Sequence, residues 1–288
     1  MPHIDVAIIC LYFVFVTVVG IYISRRMASH SAEDYFLGGR SLPWYLLAIS
    51  GVAAYVDISG TMLQSSFFYM IGVKGYWVAY RGAVALSLAF LMIFMAKWMR
   101  RSEVMTIAEW MQFRFGRGRQ GEMARLLCAV STLVMAIVFV GYFFIGTGKF
   151  LSLYLPMSPT MCALLFFTVV TIYTSLGGFN SVVYLDLIQS GFVLTAMGYV
   201  GYKAMTIATP VYYSAVNAPS DWLTLFPTTW AVHMPAGYEN MQFLGVLVIF
   251  WMISMVLQGF AQPYDAWTSQ RYFASKDQRE GAMVAATW

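Results

Sequence analysis

The chain has 288 residues, of which 60% are hydrophobic and only 10% are charged, and its formal net charge is +4. Soluble domains contain roughly 45–50% apolar and 25% charged residues, so this composition excludes a soluble globular protein and predicts an integral membrane protein. The basic residues are spread over several loops and do not form one basic face, which argues against a nucleic-acid partner.

Apolar segments of roughly 20 residues predict an all-α membrane protein, because barrel strands are shorter and alternate in polarity. The predicted spans are 4–24, 44–73, 76–99, 124–153, 158–176, 183–207 and 242–263, with another starting at Gly281. The spans 44–73 and 242–263 are predicted to be broken. Because the sequence stops inside an apolar segment, we expect residues 1–288 to be one transmembrane domain, truncated from a longer protein.

Charge in the connectors predicts the orientation. Residues 4–24 follow no positive stretch and precede no A-x-A-like cleavage site, so we interpret them as a span and not a signal peptide. The loops 25–43, 97–125 and 271–280 carry 3, 7 and 3 Lys or Arg, whereas the alternate connectors carry only Lys74. The positive-inside rule then predicts a multi-pass protein of the plasma membrane (the inner membrane in a bacterium) with its N-terminus outside. The same charges are expected to attract anionic lipid.

The loop 97–125 contains a helix-start signal. Thr106-Ile107-Ala108-Glu109 is typical of a capping box, with Thr106 as N-cap and Glu109 reaching back to it. The aromatic residues that follow predict a short helix on the membrane surface that ends at Gly116.

Asp57 is the most unusual residue of the apolar segments. A carboxylate at the membrane centre costs at least ~2.5 kcal/mol, so it is rarely present for packing alone. Gly51 and Gly60 weaken the helix on either side. A helix that breaks at mid-depth must expose its backbone to protein or to a water-filled cavity, as in the central site of a transporter. The alternative is an ordinary glycine-kinked helix.

A second break is predicted at Gln258 to Pro263, since proline removes a backbone donor. Paired interrupted spans separated by four others indicate a five-span repeat that starts again at 242.

Two other charged residues have several interpretations. Arg81 either snorkels to the outer headgroups, forms an ion pair with Asp57, or binds a substrate carboxylate. Asp186 lies near the start of the span 183–207, where an acidic residue stabilises a helix N-terminus.

No enzyme motif is present: the sequence lacks G-x-S-x-G, H-E-x-x-H and a phosphate-binding loop, which also argues against a primary pump. The cysteines Cys10, Cys128 and Cys162 are far apart, so neither a disulfide framework nor a zinc site is predicted. We therefore expect no enzyme activity and no cofactor.

Four stretches resemble the sodium/solute symporter family. They are Asp34–Arg40; Thr106–Glu109 with Arg114-Phe115-Gly116; Tyr173–Gln189 with Gly177-Gly178 and Asp186; and Gln270-Arg271 with Ala274-Ser275-Lys276. The resemblance implies the leucine-transporter type of inverted-repeat fold. This chain would then hold one leading helix, the first five-helix repeat and the start of the second, with roughly half of the protein missing.

The resemblance also implies site residues. The family's shared sodium site takes backbone carbonyls that fall on Tyr55 and Ile58, and Asp186 matches an aspartate near the inner sodium route. No metal other than sodium is implied.

Substrate contacts in sugar carriers of the family would fall on Asp57, Met62, Arg81 and Gln258. Arg81 replaces an acid of those carriers and Met62 replaces a polar side chain, and both differences disfavour a sugar. Our hypothesis is that Arg81 selects a carboxylate-bearing solute.

The predicted function is sodium-coupled symport of a small organic solute by alternating access. Two alternatives remain: a transporter-like sensor module fused to a signalling domain, and a sodium-independent facilitator or channel.

Overall fold

Helices form the regular structure of the described residues, in agreement with the all-α prediction. This computed structural model describes residues 2–27, 31–75, 94–207, 222–224, 239, 242–243, 249–250, 253 and 266–287. The helices are α1 (Pro2–Arg26), α2 (Ala32–Leu37), α3 (Trp44–Ala53), α4 (Ile58–Ile71), α5 (Ala96–Arg101), α6 (Ile107–Phe115), α7 (Arg119–Leu151), α8 (Pro159–Ile207), α9 (Ala266–Phe273) and α10 (Gln278–Thr287).

Three described helices are long and apolar enough to cross a bilayer: Ile4–Arg26 of α1, Arg119–Leu151 and Pro159–Thr206. The pair α3 and α4 adds a fourth candidate, bent by 56° at its break. Within the predicted span 44–73 the chain therefore forms two helices with a break between them. α7 begins before the predicted residue 124, because polar residues prolong the helix beyond its apolar stretch.

α8 covers both predicted spans 158–176 and 183–207, and its backbone leaves the helical region at one residue, Gly178 (φ 57°, ψ −157°). That conformation is essentially restricted to glycine. The Tyr173 side chain nevertheless lies close to Gln189, although the two would be about 24 Å apart in a straight helix. The chain therefore doubles back at Gly178, and one glycine replaces the longer connector predicted between the spans.

Side chains of other elements complete the backbone hydrogen bonding at this kink. The Ser24 hydroxyl of α1 donates to the Leu176 carbonyl at 2.5 Å, and the Tyr35 hydroxyl of α2 donates to the Ser175 carbonyl at 3.0 Å. A helix that turns sharply loses intrahelical partners for its last carbonyls. The kink is thus a fixed turn, held by hydroxyl donors from two neighbouring elements.

The short helix α6 follows its sequence signal. The Thr106 hydroxyl accepts from the Glu109 N–H at 3.2 Å, as predicted for the N-cap. The Glu109 carboxylate accepts from the Met105 N–H at 2.8 Å, one residue before the predicted partner. Gly116 follows the last residue of α6 with φ 85°, as expected for the end of this helix. Ser31 and Asp34 form a second capping box, which starts α2.

The chain forms two compact units. The first comprises Met1–Ser59, Ala89–Gln189 and Pro263–Trp288, and the second comprises Gly60–Leu88 and Ser190–Gln262. Several predictions lie outside the described residues: most of the spans 76–99 and 242–263, together with Arg81, Gln258 and Pro263.

Candidate functional site

The helix break between α3 and α4 lies in the first unit. α3 ends in a tightened turn, since the Tyr55 N–H donates to the carbonyl three residues back at 3.0 Å. The helical pattern resumes at Ile58, the first residue of α4. Tyr55 and Asp57 are therefore both in the non-helical segment. Of the two predicted sodium carbonyls, that of Tyr55 lies within the break and that of Ile58 lies at its end.

α7 lies against this break. The Tyr142 side chain lies beside Asp57, so an uncharged phenol adjoins the carboxylate at the break. One turn further along α7, a Cβ on Gly146 would lie only 1.8 Å from the Ser59 hydroxyl oxygen. Only glycine allows the helix to approach the start of α4 so closely, and this approach positions Tyr142 beside Asp57.

A second carboxylate, Asp186, lies beyond the kink of α8 and has charged and hydroxyl partners. The Ser50 hydroxyl of α3 donates to Asp186 Oδ2 at 2.5 Å. The Arg271 guanidinium of α9 approaches the same oxygen, with Nη2 at 3.7 Å. Three helices thus meet at one carboxylate oxygen.

Arg271 is also bonded to Ser50 directly. Its Nη2 donates to the Ser50 carbonyl at 2.9 Å and to the Ser50 hydroxyl at 2.9 Å. The side chains of Arg271 and Asp186 are only 7% and 19% exposed. A charge removed from water is strongly unfavourable unless an opposite charge and hydrogen bonds accompany it. Each of the two charged side chains therefore lowers the free-energy cost of burying the other. We call Ser50, Asp186 and Arg271 the buried ion cluster.

Packing at the end of α9 holds Arg271 in place. The next two residues, Tyr272 and Phe273, are 0% and 1% exposed. The preceding Gln270 donates from Nε2 to the Phe36 carbonyl of α2 at 2.6 Å. α9 is therefore fixed on both sides of the arginine, which keeps the guanidinium aimed at α3.

The predicted site residues fall into three groups. Asp57, Tyr55 and Ile58 lie together at the break, whereas Asp186 lies in the buried ion cluster. Met62 is half-buried, one turn after Ile58 in α4. Arg81 and Gln258 lie outside the described residues, so their predicted approach to Asp57 stays a prediction.

Sequence reasoning did not assign roles to Ser50, Tyr142 and Arg271. Arg271 belongs to a family-like motif of the sequence, but its burial is set by contacts with distant helices. Serine and tyrosine are common in apolar segments, and nothing in the sequence around Ser50 or Tyr142 indicates a functional role.

The described residues contain no group of three His, Cys, Asp or Glu side chains that could hold a metal ion. A transition-metal site of this kind is therefore absent from the described part of the chain. The oxygens at the break are hard ligands, which suit an alkali cation.

Comparison with known proteins finds that the chain is similar to sodium/glucose cotransporters. The chain is 25% identical to a sodium/glucose cotransporter of Vibrio parahaemolyticus, over 99% of this chain and 52% of that protein. It is 29% identical to sodium/glucose cotransporter 1 of Oryctolagus cuniculus, over 76% of this chain and 35% of that protein. The chain thus spans about half, or less, of the length of these relatives, which are transporters and not enzymes.

The fold matches a solved structure, that of a Na⁺-coupled sialic acid symporter in a substrate-bound outward-open state. The TM-score is 0.75 at 20% sequence identity, and the match covers 99% of this chain and 56% of that chain. The profile of the sodium:solute symporter family matches residues 35–287. With nearly the whole chain matched, the protein belongs to the sodium:solute symporter family.

Proposed function

We propose that the full-length protein is a sodium-coupled symporter that imports a small organic solute by alternating access. Family membership over residues 35–287 supports this function. The observation that carries it is the helix break at Asp57, which places a carboxylate and backbone carbonyls at an interrupted span. Interrupted spans of this kind form the ion and solute sites of secondary transporters.

The coupling ion is sodium in this proposal, bound in part by the carbonyls of Tyr55 and Ile58. Asp186 lies on the inner route of the ion. In the described conformation its charge is compensated by Arg271 at 3.7 Å. Sodium would therefore reach Asp186 only when α9 withdraws the guanidinium, which links passage of the ion to a movement of that helix.

The solute contacts in this proposal are Asp57, Met62, Arg81 and Gln258. The relatives named above are sodium/glucose cotransporters. Two substitutions relative to sugar carriers, Arg81 for an acid and Met62 for a polar residue, lead us to propose a carboxylate-bearing solute. Arg81 would bind its carboxylate in a bidentate manner, and Asp57 would orient an amine or hydroxyl.

We further propose that the whole protein has two inverted five-helix repeats of the leucine-transporter type. The first repeat would run from α3 to the second half of α8, and the second would begin at 242. The TM-score of 0.75 to a Na⁺-coupled sialic acid symporter supports the arrangement. Rocking of one helix bundle against another would alternate access to the site.

The decisive experiment is thermal stability of the detergent-purified full-length protein, in sodium and in potassium, across a panel of carboxylates, sugars and amines. A solute that raises the melting temperature only in sodium identifies the substrate class and the coupling together. Solute uptake into proteoliposomes at the same rate with and without sodium would contradict symport and favour the facilitator. Absence of any sodium-dependent shift would favour the sensor.

The carboxylate hypothesis has its own test in Arg81→Gln. Loss of a bidentate, charge-assisted contact lowers affinity for a carboxylate solute by at least about tenfold, since such bonds contribute roughly 1.5–3 kcal/mol. Sodium-dependent uptake as a function of solute concentration measures the change. Unchanged apparent affinity would contradict the role of Arg81 and leave sodium coupling intact.

A further inference from the structure

The turn between α6 and α7 presents arginines and aromatic side chains together. α6 ends at Phe115 and α7 begins at Arg119, and the connecting backbone is tight. A Cβ on Gly121 would lie 1.6 Å from the Gly116 carbonyl oxygen, so the first turn of α7 is pressed against the end of α6. The side chains on either side of this turn are consequently held within one small region.

The region carries more positive than negative charge. Residues 114–125 contain four arginines and one glutamate. That glutamate, Glu122, is already engaged by Arg125 at 3.0 Å and by Gln112. Arg117 and Arg119 are exposed, and neither has an ion-pair partner within the described ranges.

Aromatic side chains accompany these charges. Phe113 and Phe115 are 64% and 54% exposed, whereas Trp110 is 3% exposed and anchors α6. The guanidinium of Arg114 lies 5.4 Å from the Trp110 ring centroid and 5.7 Å from that of Phe115. Exposed rings beside basic groups are typical of helices that lie in the membrane–water interface.

Helix length places the arginines at headgroup depth. α7 carries no charged residue between Arg125 and Lys149. This stretch measures roughly 35 Å at 1.5 Å per residue, enough to cross the hydrocarbon core of about 30 Å. Arg119 lies roughly 9 Å further along the helix than Arg125, and a polar headgroup layer is roughly 5–7 Å thick on each side, so Arg119 lies at the outer boundary of that layer.

We propose that Arg114, Arg117 and Arg119 form a binding site for the phosphate of an anionic phospholipid, with Phe113 and Phe115 in contact with its glycerol and acyl region. We call these five residues the lipid site. A guanidinium group can donate two parallel N–H bonds to the oxygens of one phosphate, which fixes the geometry of the contact. A general attraction between basic residues and anionic lipid would not require this geometry. The occupant is a membrane lipid and not a soluble phosphate, because exposed aromatic surface adjoins the arginines at interface depth.

The test uses the full-length protein in neutral detergent with added phosphatidylglycerol or phosphatidylcholine, and native mass spectrometry and thermal shift as readouts. We expect phosphatidylglycerol to bind and to raise the melting temperature, with phosphatidylcholine far weaker. In Arg117→Gln/Arg119→Gln the affinity for phosphatidylglycerol falls about fivefold for each arginine removed. The control is Lys149→Gln, which removes a charge at the opposite end of α7 and keeps the lipid preference.

Three outcomes would overturn the proposal. One is an unchanged phosphatidylglycerol affinity in the folded double variant. Another is an equal loss of affinity in Lys149→Gln, which would indicate attraction to overall charge. The third is saturation of the lipid effect by inorganic phosphate or glycerol phosphate alone, which would assign the arginines to a soluble anion.

Discussion

The first unit contains two helix interruptions, and the carboxylates near them differ in their neighbours. At the break between α3 and α4, Asp57 stands in the non-helical segment and has the uncharged phenol of Tyr142 beside it. Beyond the kink of α8, Asp186 has the guanidinium of Arg271 at 3.7 Å and the Ser50 hydroxyl at 2.5 Å.

This difference separates two uses of a carboxylate inside a membrane protein. A neutral hydroxyl does not compensate the negative charge of the carboxylate beside it. A carboxylate opposite a buried arginine has its charge compensated within the protein and ties helices together. The first arrangement suits a binding site, and the second suits a contact that fixes or releases a conformation.

The largest expected effect is that of Arg271→Gln, which leaves Asp186 without its charged partner at a mostly buried position. We expect the free energy of unfolding to fall by about 3–5 kcal/mol, as for other buried pairs broken on one side. Thermal unfolding of the full-length protein in detergent measures the loss.

Two further variants separate the pair from a simple loss of side-chain volume. Arg279→Gln removes an exposed arginine of α10 and should leave the melting temperature nearly unchanged. Adding Asp186→Asn to Arg271→Gln should recover part of the lost stability, because the uncompensated charge is gone. Strict additivity of the two single changes would show that they do not interact.

The next effect is that of Gly178→Ala at the kink of α8. A methyl group there has to adopt φ 57° and would lie 2.7 Å from the Tyr35 carbonyl oxygen. Strain and overpacking each cost roughly 1–3 kcal/mol, so stability should drop clearly. Gly191→Ala, in the same helix with no atom near its Cβ, should be neutral or slightly stabilising. Equal melting temperatures for the two variants would contradict the fixed turn.

Much of the fold followed from the sequence because membrane spans have a strong local signal. Apolar length predicted the helices now seen as α1, α7 and the two halves of α8, and glycine with a central acid predicted the break before α4. The connector between the halves of α8 was predicted too long. The apolar pattern of the sequence does not show that a single glycine with positive φ, Gly178, is sufficient for the turn between the two halves of α8.

The site was less predictable, because its partners come from distant parts of the chain. Asp57 and Asp186 attract attention as acids in apolar segments. Their partners, Tyr142, Ser50 and Arg271, are brought to them by helix packing that no local pattern encodes. Hydroxyl residues are common in membrane helices, and Arg271 lies at a helix end where a basic residue usually indicates topology alone.

The smallest stability effect and the clearest functional one are expected at the break. Asp57→Asn keeps the shape of the side chain and removes its charge, so we expect a near-normal melting temperature with solute affinity lowered by about tenfold or more. Tyr142→Phe removes the phenol hydroxyl beside Asp57 and keeps the charge, so the loss should be only about two- to tenfold. Tyr199→Phe, an exposed tyrosine of α8, is the matched control and should transport normally. Sodium-dependent uptake measures all three.

If Tyr142→Phe behaves like Tyr199→Phe while Asp57→Asn loses affinity, the phenol does not position the carboxylate. If Asp57→Asn unfolds the protein as Arg271→Gln does, the two carboxylates have the same structural role and the contrast between the regions is wrong.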